Sequence, residues 1–282
     1  MKKSSLALLL LTGILALPLS AQNDLGLWTS VDGTTKLYPG VKLSVEAEYR
    51  MRDNVSATDR TSLGASVSYK NPNMKWLKAD VGYTFIYKSN PAESSLKYEK
   101  GPDGLPTDEI KWRNDDAAYW GTKHRATFSL SGSWKVGRFS LGVRERYQYT
   151  YRAAAECDRT RYYYDPLASM LGTDEWYTID DPASPDYSSF RDTKNPKHDH
   201  MLRSRLSVGY DIPKCKFEPF VELEAYNDLM ASLAFDKMRY TIGTDYKISK
   251  HRKLSAYYRY QDHSDEDEVG GHVIGIGYSF DF

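Results

Sequence analysis

Several stretches of this chain carry residue types that could do chemistry. His198-Asp199-His200 offers two imidazoles beside a carboxylate, the donors of a zinc-type site. Such a site needs further ligands and nothing local supplies them, so the stretch reads as a solvated polar segment. His263-Ser264-Asp265 contains the three residue types of a hydrolase triad. A triad is assembled by spatial geometry, however, and sequence neighbours seldom make one. Asp265-Glu266-Asp267-Glu268 brings hard oxygens together as Ca²⁺ requires, but without the spacing of a calcium loop, and reads as a solvated charge run. The most organised set is electrostatic. Arg203 and Arg205, then Glu218, Glu222 and Glu224, then Arg239 recur at even spacing, with Arg144, Arg146, Glu46 and Glu48 elsewhere. Setting Asp211 opposite Lys216 across the turn after Ile212 places Arg205 opposite Glu222 and Arg203 opposite Glu224, while Glu46 and Glu48 are the candidate partners of Arg144 and Arg146. Charges so placed either clamp one another or form a constriction that selects a polar solute. None of these patterns demands a cofactor or a metal, and none is a catalytic signature.

Even spacing is the period of a strand, and strands are the elements that must position these charges. Residues 41–51 alternate Val41, Leu43, Val45, Ala47, Tyr49 and Met51 with polar neighbours. The same pattern recurs at 63–69, 79–87, 124–136, 139–151, 202–212, 217–225, 238–248, 254–260 and 271–282. A helical period appears only for a turn or two near residues 167–171. In the last stretch His272, Ile274, Ile276, Tyr278, Phe280 and Phe282 share one face, and small or polar residues share the other.

The breaks between these stretches alternate in length. Tyr38-Pro39-Gly40, Asn71-Pro72-Asn73, Val136-Gly137, Pro213-Lys214-Cys215 and 249–253 are short; 89–119, 153–198 and 262–270 are long. Tight turns at one end and long loops at the other are the organisation of an outer-membrane barrel, with the turns in the periplasm. Counted back from Phe282, every short break falls on the periplasmic side. The expected fold is therefore an all-β, transmembrane, antiparallel up-and-down β-barrel. Its strand number is expected to be even, ten or twelve. Twelve follows if residues 25–37 split at the hairpin dipeptide Asp32-Gly33, and ten if that stretch is a plug or tail. A secreted sandwich would share the alternation, but not the terminal Phe282, the tyrosines near strand ends or the turn-loop order.

Composition agrees with export. Lys2 and Lys3, an apolar run from Leu6 to Leu17 and Leu19-Ser20-Ala21 form a secretory signal peptide over 1–21, leaving a barrel over 22–282. Lysine plus arginine and aspartate plus glutamate each number 38. Residues 1–21 take away two lysines and no acid, so 36 positive residues face 38 negative ones, a net charge of −2. No basic surplus points to nucleic acid. Mean hydropathy is −0.62, too polar for a helical membrane protein. Tyrosine is abundant, 23 against 9 Phe, as suits a boundary between water and something apolar. Cys157 and Cys215 invite a disulfide in an exported chain. The expected topology puts the membrane, ~25 Å thick, between them, while disulfide Cα atoms lie within ~7 Å; both are expected to be unpaired with each other.

The chain resembles an uncharacterised family of bacterial outer-membrane β-barrels, a domain of unknown function. The resemblance rests on Leu27-Trp28, Leu43-Ser44-Val45-Glu46-Ala47-Glu48-Tyr49-Arg50, Phe235-Asp236-Lys237-Met238-Arg239-Tyr240, Tyr246-Lys247-Ile248-Ser249-Lys250-His251, Tyr258-Arg259-Tyr260-Gln261 and the closing strand. The closing strand also resembles those in which a terminal Phe and alternating aromatics engage the barrel-assembly machinery. That likeness implies such a role for Tyr278, Phe280 and Phe282. The family brings no activity. The expected function is a porin-like small channel or binding barrel for a polar solute, or a structural barrel, in a Gram-negative outer membrane. One alternative is a barrel enzyme acting on lipid or a surface substrate. Another is adhesion or ligand docking by the Tyr-rich segment that runs from Tyr162-Tyr163-Tyr164 through Trp176-Tyr177 to Tyr187.

Overall fold

The computed structural model describes residues 25–173, 175–262 and 270–282. The segment expected to be a signal peptide, 1–21, and the motifs at 263–268 lie outside the described residues. The described chain forms sixteen strands and one short helix, and divides into two units.

The first unit is a closed barrel. Its strands are β1 (Leu25–Tyr38), β2 (Val41–Arg52), β3 (Ala57–Lys70), β4 (Leu77–Asn90), β7 (Tyr119–Val136), β8 (Phe139–Arg152), β12 (Lys197–Tyr210), β13 (Phe217–Asp228), β14 (Ala234–Lys247), β15 (Arg252–Gln261) and β16 (Gly271–Asp281). Chain neighbours pair in order around the ring, and β1 closes on β16.

The closure corrects two expectations. The barrel has eleven strands, not an even number, and β1 pairs with β16 in parallel, from Leu25↔His272 to Thr34↔Asp281. The two corrections are one fact. In an odd-stranded meander the first and last strands run the same way, so their union must be parallel. The cause lies at Asp32-Gly33, which does not turn. Gly33 sits under the Phe280 ring, whose atoms would lie 2.8 Å from an added Cβ. The Asp32 carboxylate accepts a hydrogen bond from Ser279 Oγ at 2.7 Å. A dipeptide that reads as a hairpin is instead the cross-strand seat of an aromatic.

The side chains are distributed inside out. Each of the eleven strands places an aliphatic residue on the outer face, namely Val31, Val45, Leu63, Val81, Leu130, Val143, Leu206, Val221, Ile242, Leu254 and Ile276. These are 38–59% exposed. Residues of opposite parity, among them Arg60, Ser129, Glu224, Lys237 and Gln261, are each no more than 2% exposed. Burial normally sorts side chains the other way. Aromatic pairs bracket the aliphatic band. At the tight-turn end Trp76 stacks on Trp134, and Phe139 and Phe217 lie against Tyr210 and Tyr246. At the other end four tyrosine hydroxyls meet histidine Nδ1 atoms at 2.5–2.8 Å, in Tyr83–His124, Tyr147–His200, Tyr149–His198 and Tyr258–His272.

The second unit spans residues 87–123 and 151–197, the segments expected as long loops. It contains β5 (Glu93–Lys100), β6 (Pro106–Asp116), β9 (Ala155–Tyr164), β10 (Trp176–Tyr177) and β11 (Ser189–Lys194), with α1 (Pro166–Met170) capped by the Asp165 carboxylate. Its sheet runs β10-β9-β6-β5, and β11 also pairs with β9. Arginines interleave with rings: Arg113 lies over Tyr162 and Trp176, and Arg161 over Trp112 and Phe190. Cys157 in β9 and Cys215 in the β12–β13 turn are both free cysteines.

Candidate functional site in the barrel lumen

Five neighbouring strands supply the charged site. Alternation turns Arg144, Arg146 and Gln148 of β8 inward, then Arg203 and Arg205 of β12, Glu222, Glu224 and Tyr226 of β13, Arg239 and Thr241 of β14, and Arg259 and Gln261 of β15. Glu224, 2% exposed, is the hub. Its Oε1 accepts from Arg144 Nη2 at 2.7 Å and Arg205 Nε at 3.2 Å. Its Oε2 accepts from Arg203 Nη2 at 3.0 Å, Arg239 Nη1 at 3.4 Å and the Tyr226 hydroxyl at 3.2 Å. A carboxylate stripped of water is tolerable when enclosed this way. Amide side chains take part of the remaining donor capacity. Arg203 Nη1 donates to Gln148 Oε1 and Arg239 Nε to Gln261 Oε1, both at 2.8 Å.

The residues singled out in the sequence separate into three groups. Arg203, Arg205, Glu222, Glu224, Arg239 and Arg144 come together. The expected register is off by two: Arg205 stands opposite Glu224 and Arg203 opposite Tyr226, not opposite Glu222 and Glu224. The chain between β12 and β13 is longer than the tight turn that expectation assumed. Long arginine side chains still reach diagonally, and Arg205 Nη1 meets Glu222 at 3.0 Å. Arg146 donates to Ser129 at 2.9 Å. In the second group, of Glu46 and Glu48, Glu46 lies within electrostatic reach of Arg146 without a direct ion pair to it. Glu48 binds Arg50 of its own strand at 2.7 and 2.9 Å, and Glu46 stands opposite Asp32. The third is Glu218, which leaves the arginine column and pairs with Lys247 near the tight turns. Tyr278, Phe280 and Phe282 lie at the β1–β16 seam, where the Phe282 N–H donates to Thr34 O at 2.8 Å.

Sequence reasoning missed Trp28, Tyr226, Arg259 and Gln261. Trp28, 6% exposed, is the ring against which Arg50, Arg239 and Arg259 lie at 3.4, 5.4 and 5.1 Å. Arg259 also lies over Tyr257 and donates to Thr241 at 2.9 Å. Parity held the signal for all four, since each continues the inward series of its strand.

Along its length the lumen has a closed part and an open part. Toward the long connections Arg50, Arg60, Ile86, Gln148, Lys237 and Gln261 are each 8% exposed or less. Toward the tight turns lies a cavity of about 530 Å³. Small residues such as Ser133, Gly142, Ser207, Gly209, Ser255 and Gly277 make its walls, and Glu222, Thr241, Tyr257 and Arg259 border it where the charge cluster begins. Tyr257 can lie there because Gly275 has no side chain: an added Cβ would fall 1.9 Å from its ring.

Other ligand-bearing groups resolve otherwise. His198 and His200 each engage a tyrosine, as described. In the second unit Asp116, Cys157 and Asp192 bring ligand atoms within 4.8 Å of one another. Cations already fill that space: Arg159 donates to Asp116 at 2.5 and 3.0 Å and pairs with Asp192 at 2.8 Å, and Lys194 also binds Asp116. The hydrogen bond from Arg159 holds the Asp116 carboxyl below its ordinary range, and burial pushes the Cys157 thiol up.

Together, the outward aliphatic band, the closed ring of strands and the buried ion cluster define a barrel with an apolar exterior and a charge-lined lumen. The chain belongs to the family described as "Protein of unknown function (DUF2490)", whose model matches residues 25–269. A search of curated proteins finds no match. Among solved structures, the β domain of the Bordetella autotransporter BrkA aligns over 86% of this chain and 82% of its own, at 12% identity and a TM-score of 0.44.

Proposed function

We propose that this protein is a Gram-negative outer-membrane barrel that binds a small polar solute in a vestibule facing the periplasm. The observation that carries this reading is the cavity of about 530 Å³, walled by serine and glycine and ending on Arg259, Thr241 and Glu222. The membrane setting is supported by the exposed aliphatic residue on every strand and by aromatic pairs on both sides of that band. The barrel strands have 10 to 18 residues, and a tilted strand needs ~9–11 to cross. In this setting the tight turns face the periplasm and the strand ends that carry the long connections face outward. The C-terminal strand engages the assembly machinery. The packed part of the lumen favours a binding barrel over an open channel.

The test is solute binding to the purified protein in detergent, read as a rise in thermal midpoint. Small polar solutes should stabilise it, and Ser207→Trp, which fills the vestibule, should abolish the effect without lowering the midpoint of the unliganded barrel. Planar bilayers should show no steady conductance. A large, continuously open conductance, or a polypeptide that keeps its β-structure in water without detergent, overturns the reading.

A further inference from the structure

One outward side chain breaks the apolar exterior of the barrel. On β8 the outer series runs Phe139, Leu141, Val143, Glu145, Tyr147 and Tyr149, and its fourth member is an exposed carboxylate. Glu145 Oε2 accepts from the Ser204 hydroxyl of β12 at 2.7 Å. On its other side, Arg146 to Ser129 and Arg125 to Thr150 are cross-strand contacts of one register, which sets Leu130 of β7 beside it. Valine, leucine and tyrosine therefore border Glu145, and among the described residues Ser204 is its one hydrogen-bond partner. A charge on a lipid-facing wall destabilises a barrel, and an ionisable group at membrane depth marks a site.

The depth of Glu145 limits what can meet it. Successive outer positions on a strand lie ~6.5 Å apart. Val143, one position toward the tight turns, belongs to the exposed aliphatic band. Tyr147, one position the other way, hydrogen-bonds His200 among the tyrosine–histidine pairs. Glu145 thus lies between hydrocarbon and headgroup, at the level where a lipid joins its acyl chains to its polar part. An ester linkage there offers only acceptors, whereas a carboxylate needs donors, which amide N–H and hydroxyl groups supply. Beside the carboxylate the wall is hollowed. A groove of about 400 Å³ is lined by Leu206, Val208, Val221, Leu223, Tyr240 and Ile242. Leu206 is the next outer residue after Ser204, and Leu223 the next before Ala225, which stands opposite Ser204. The groove therefore starts at the Glu145–Ser204 pair and runs along the aliphatic band.

We infer that this wall holds one lipid of the outward leaflet, of the class whose acyl chains are amide-linked or hydroxylated. Its N–H or O–H donates to Glu145, and a chain lies in the groove. The inference rests on the membrane setting proposed above and not on the vestibule or its solute.

The experiment is native mass spectrometry of the barrel in detergent micelles, titrated with sphingomyelin, phosphatidylcholine and phosphatidylethanolamine. The first two share a choline headgroup and differ in donors at the acyl linkage. The barrel should retain one sphingomyelin about tenfold more tightly than phosphatidylcholine, as a hydrogen bond to a charged group implies. Glu145→Leu should erase that preference without lowering the thermal midpoint, because the aliphatic band is then unbroken. Glu145→Gln, which keeps an acceptor and loses the charge, should fall between. Equal binding of the two choline lipids, or a preference that survives in Glu145→Leu, overturns the inference. A preference for phosphatidylethanolamine that Glu145→Leu removes assigns the carboxylate to a headgroup ammonium and overturns it too, as does a dimer that Glu145→Leu dissolves. In each of these outcomes the membrane reading stands; a polypeptide that keeps its β-structure in water without detergent removes both.

Discussion

Replacing Glu224 by glutamine keeps the side chain's shape and removes its charge. Four arginine contacts, at 2.7, 3.0, 3.2 and 3.4 Å, then meet a neutral amide that is 2% exposed. Two of the four donors already have amide partners in Gln148 and Gln261, so the loss is not four independent hydrogen bonds. Mutual repulsion outweighs it, because the cations have lost their common counter-charge. Breaking a buried ion pair from one side costs about 3–5 kcal/mol. With a urea slope near 3 kcal/mol/M, the unfolding midpoint of Glu224→Gln should fall by about 1 M or more. The assay is urea unfolding of the barrel in detergent micelles, followed by tryptophan fluorescence. Adding Arg144→Gln should recover part of the loss, with a coupling of about 0.5–3 kcal/mol, because it removes one uncompensated charge. A midpoint shift below about 0.3 M, or a double variant weaker than the sum of the singles, would refute the hub.

Three further outcomes follow from other parts of the molecule. Gly275→Val forces a Cβ to within 1.9 Å of the Tyr257 ring; overpacking of this kind costs about 1–3 kcal/mol, and Tyr257→Ala should relieve it in the same unfolding assay. Asp116 titrates below its unfolded value because Arg159 hydrogen-bonds it; its contribution is full above the unfolded pKa of about 3.9 and is lost as pH falls through the folded pKa. Amide protection in β9 and β11, taken relative to the intrinsic exchange rate at each pH, should therefore fall at acid pH, and Asp116→Asn, which lacks the contribution at every pH, should show a smaller acid effect; an equal one counts against the linkage. Exposed Cys215 should react with a maleimide in the folded barrel, whereas buried Cys157 should react only after denaturation; mass spectrometry of the labelled peptides decides this, and equal labelling would contradict the second unit's packing.

The outer face was legible in the sequence because lipid-type alternation is local: Val41 to Met51, or His272 to Phe282, needs no partner to be read. The inward charges were legible by parity for the same reason. Their pairing was not. Whether Arg205 meets Glu222 or Glu224 depends on how many residues turn between β12 and β13, and a shift of two leaves every side chain on its face. Asp32-Gly33 misled because the meaning of Gly33 is set by Phe280, on the last strand of the chain. The second unit was hidden for a different cause. β5, Glu93–Lys100, is mostly charged and hydroxyl residues without a clean period, and β6 and β9 are joined by Asp116 and Arg159, far apart in sequence. Trp28 and Arg259 were within reach, had the inward parity been followed on every strand.

The seam and the lumen site are parts of one construction. A parallel ladder is slightly weaker per residue than an antiparallel one, so a barrel that closes in parallel has reason to add side-chain fastenings there. It does so on both faces of β1. Outside, Gly33 receives the Phe280 ring; inside, Asp32 takes the Ser279 hydroxyl. One residue pair further along that inner face, Ser30 leads to Trp28, and Trp28 is the ring that Arg50, Arg239 and Arg259 share. The first strand thus shuts the cylinder and also delivers the aromatic surface on which these arginines rest. A guanidinium against an indole face keeps its charge while shedding water more cheaply than an ammonium would, which is why arginine rather than lysine crowds this level of the lumen. Were β1 a free tail, the cylinder would have to close without it and the arginines would lose that aromatic support together.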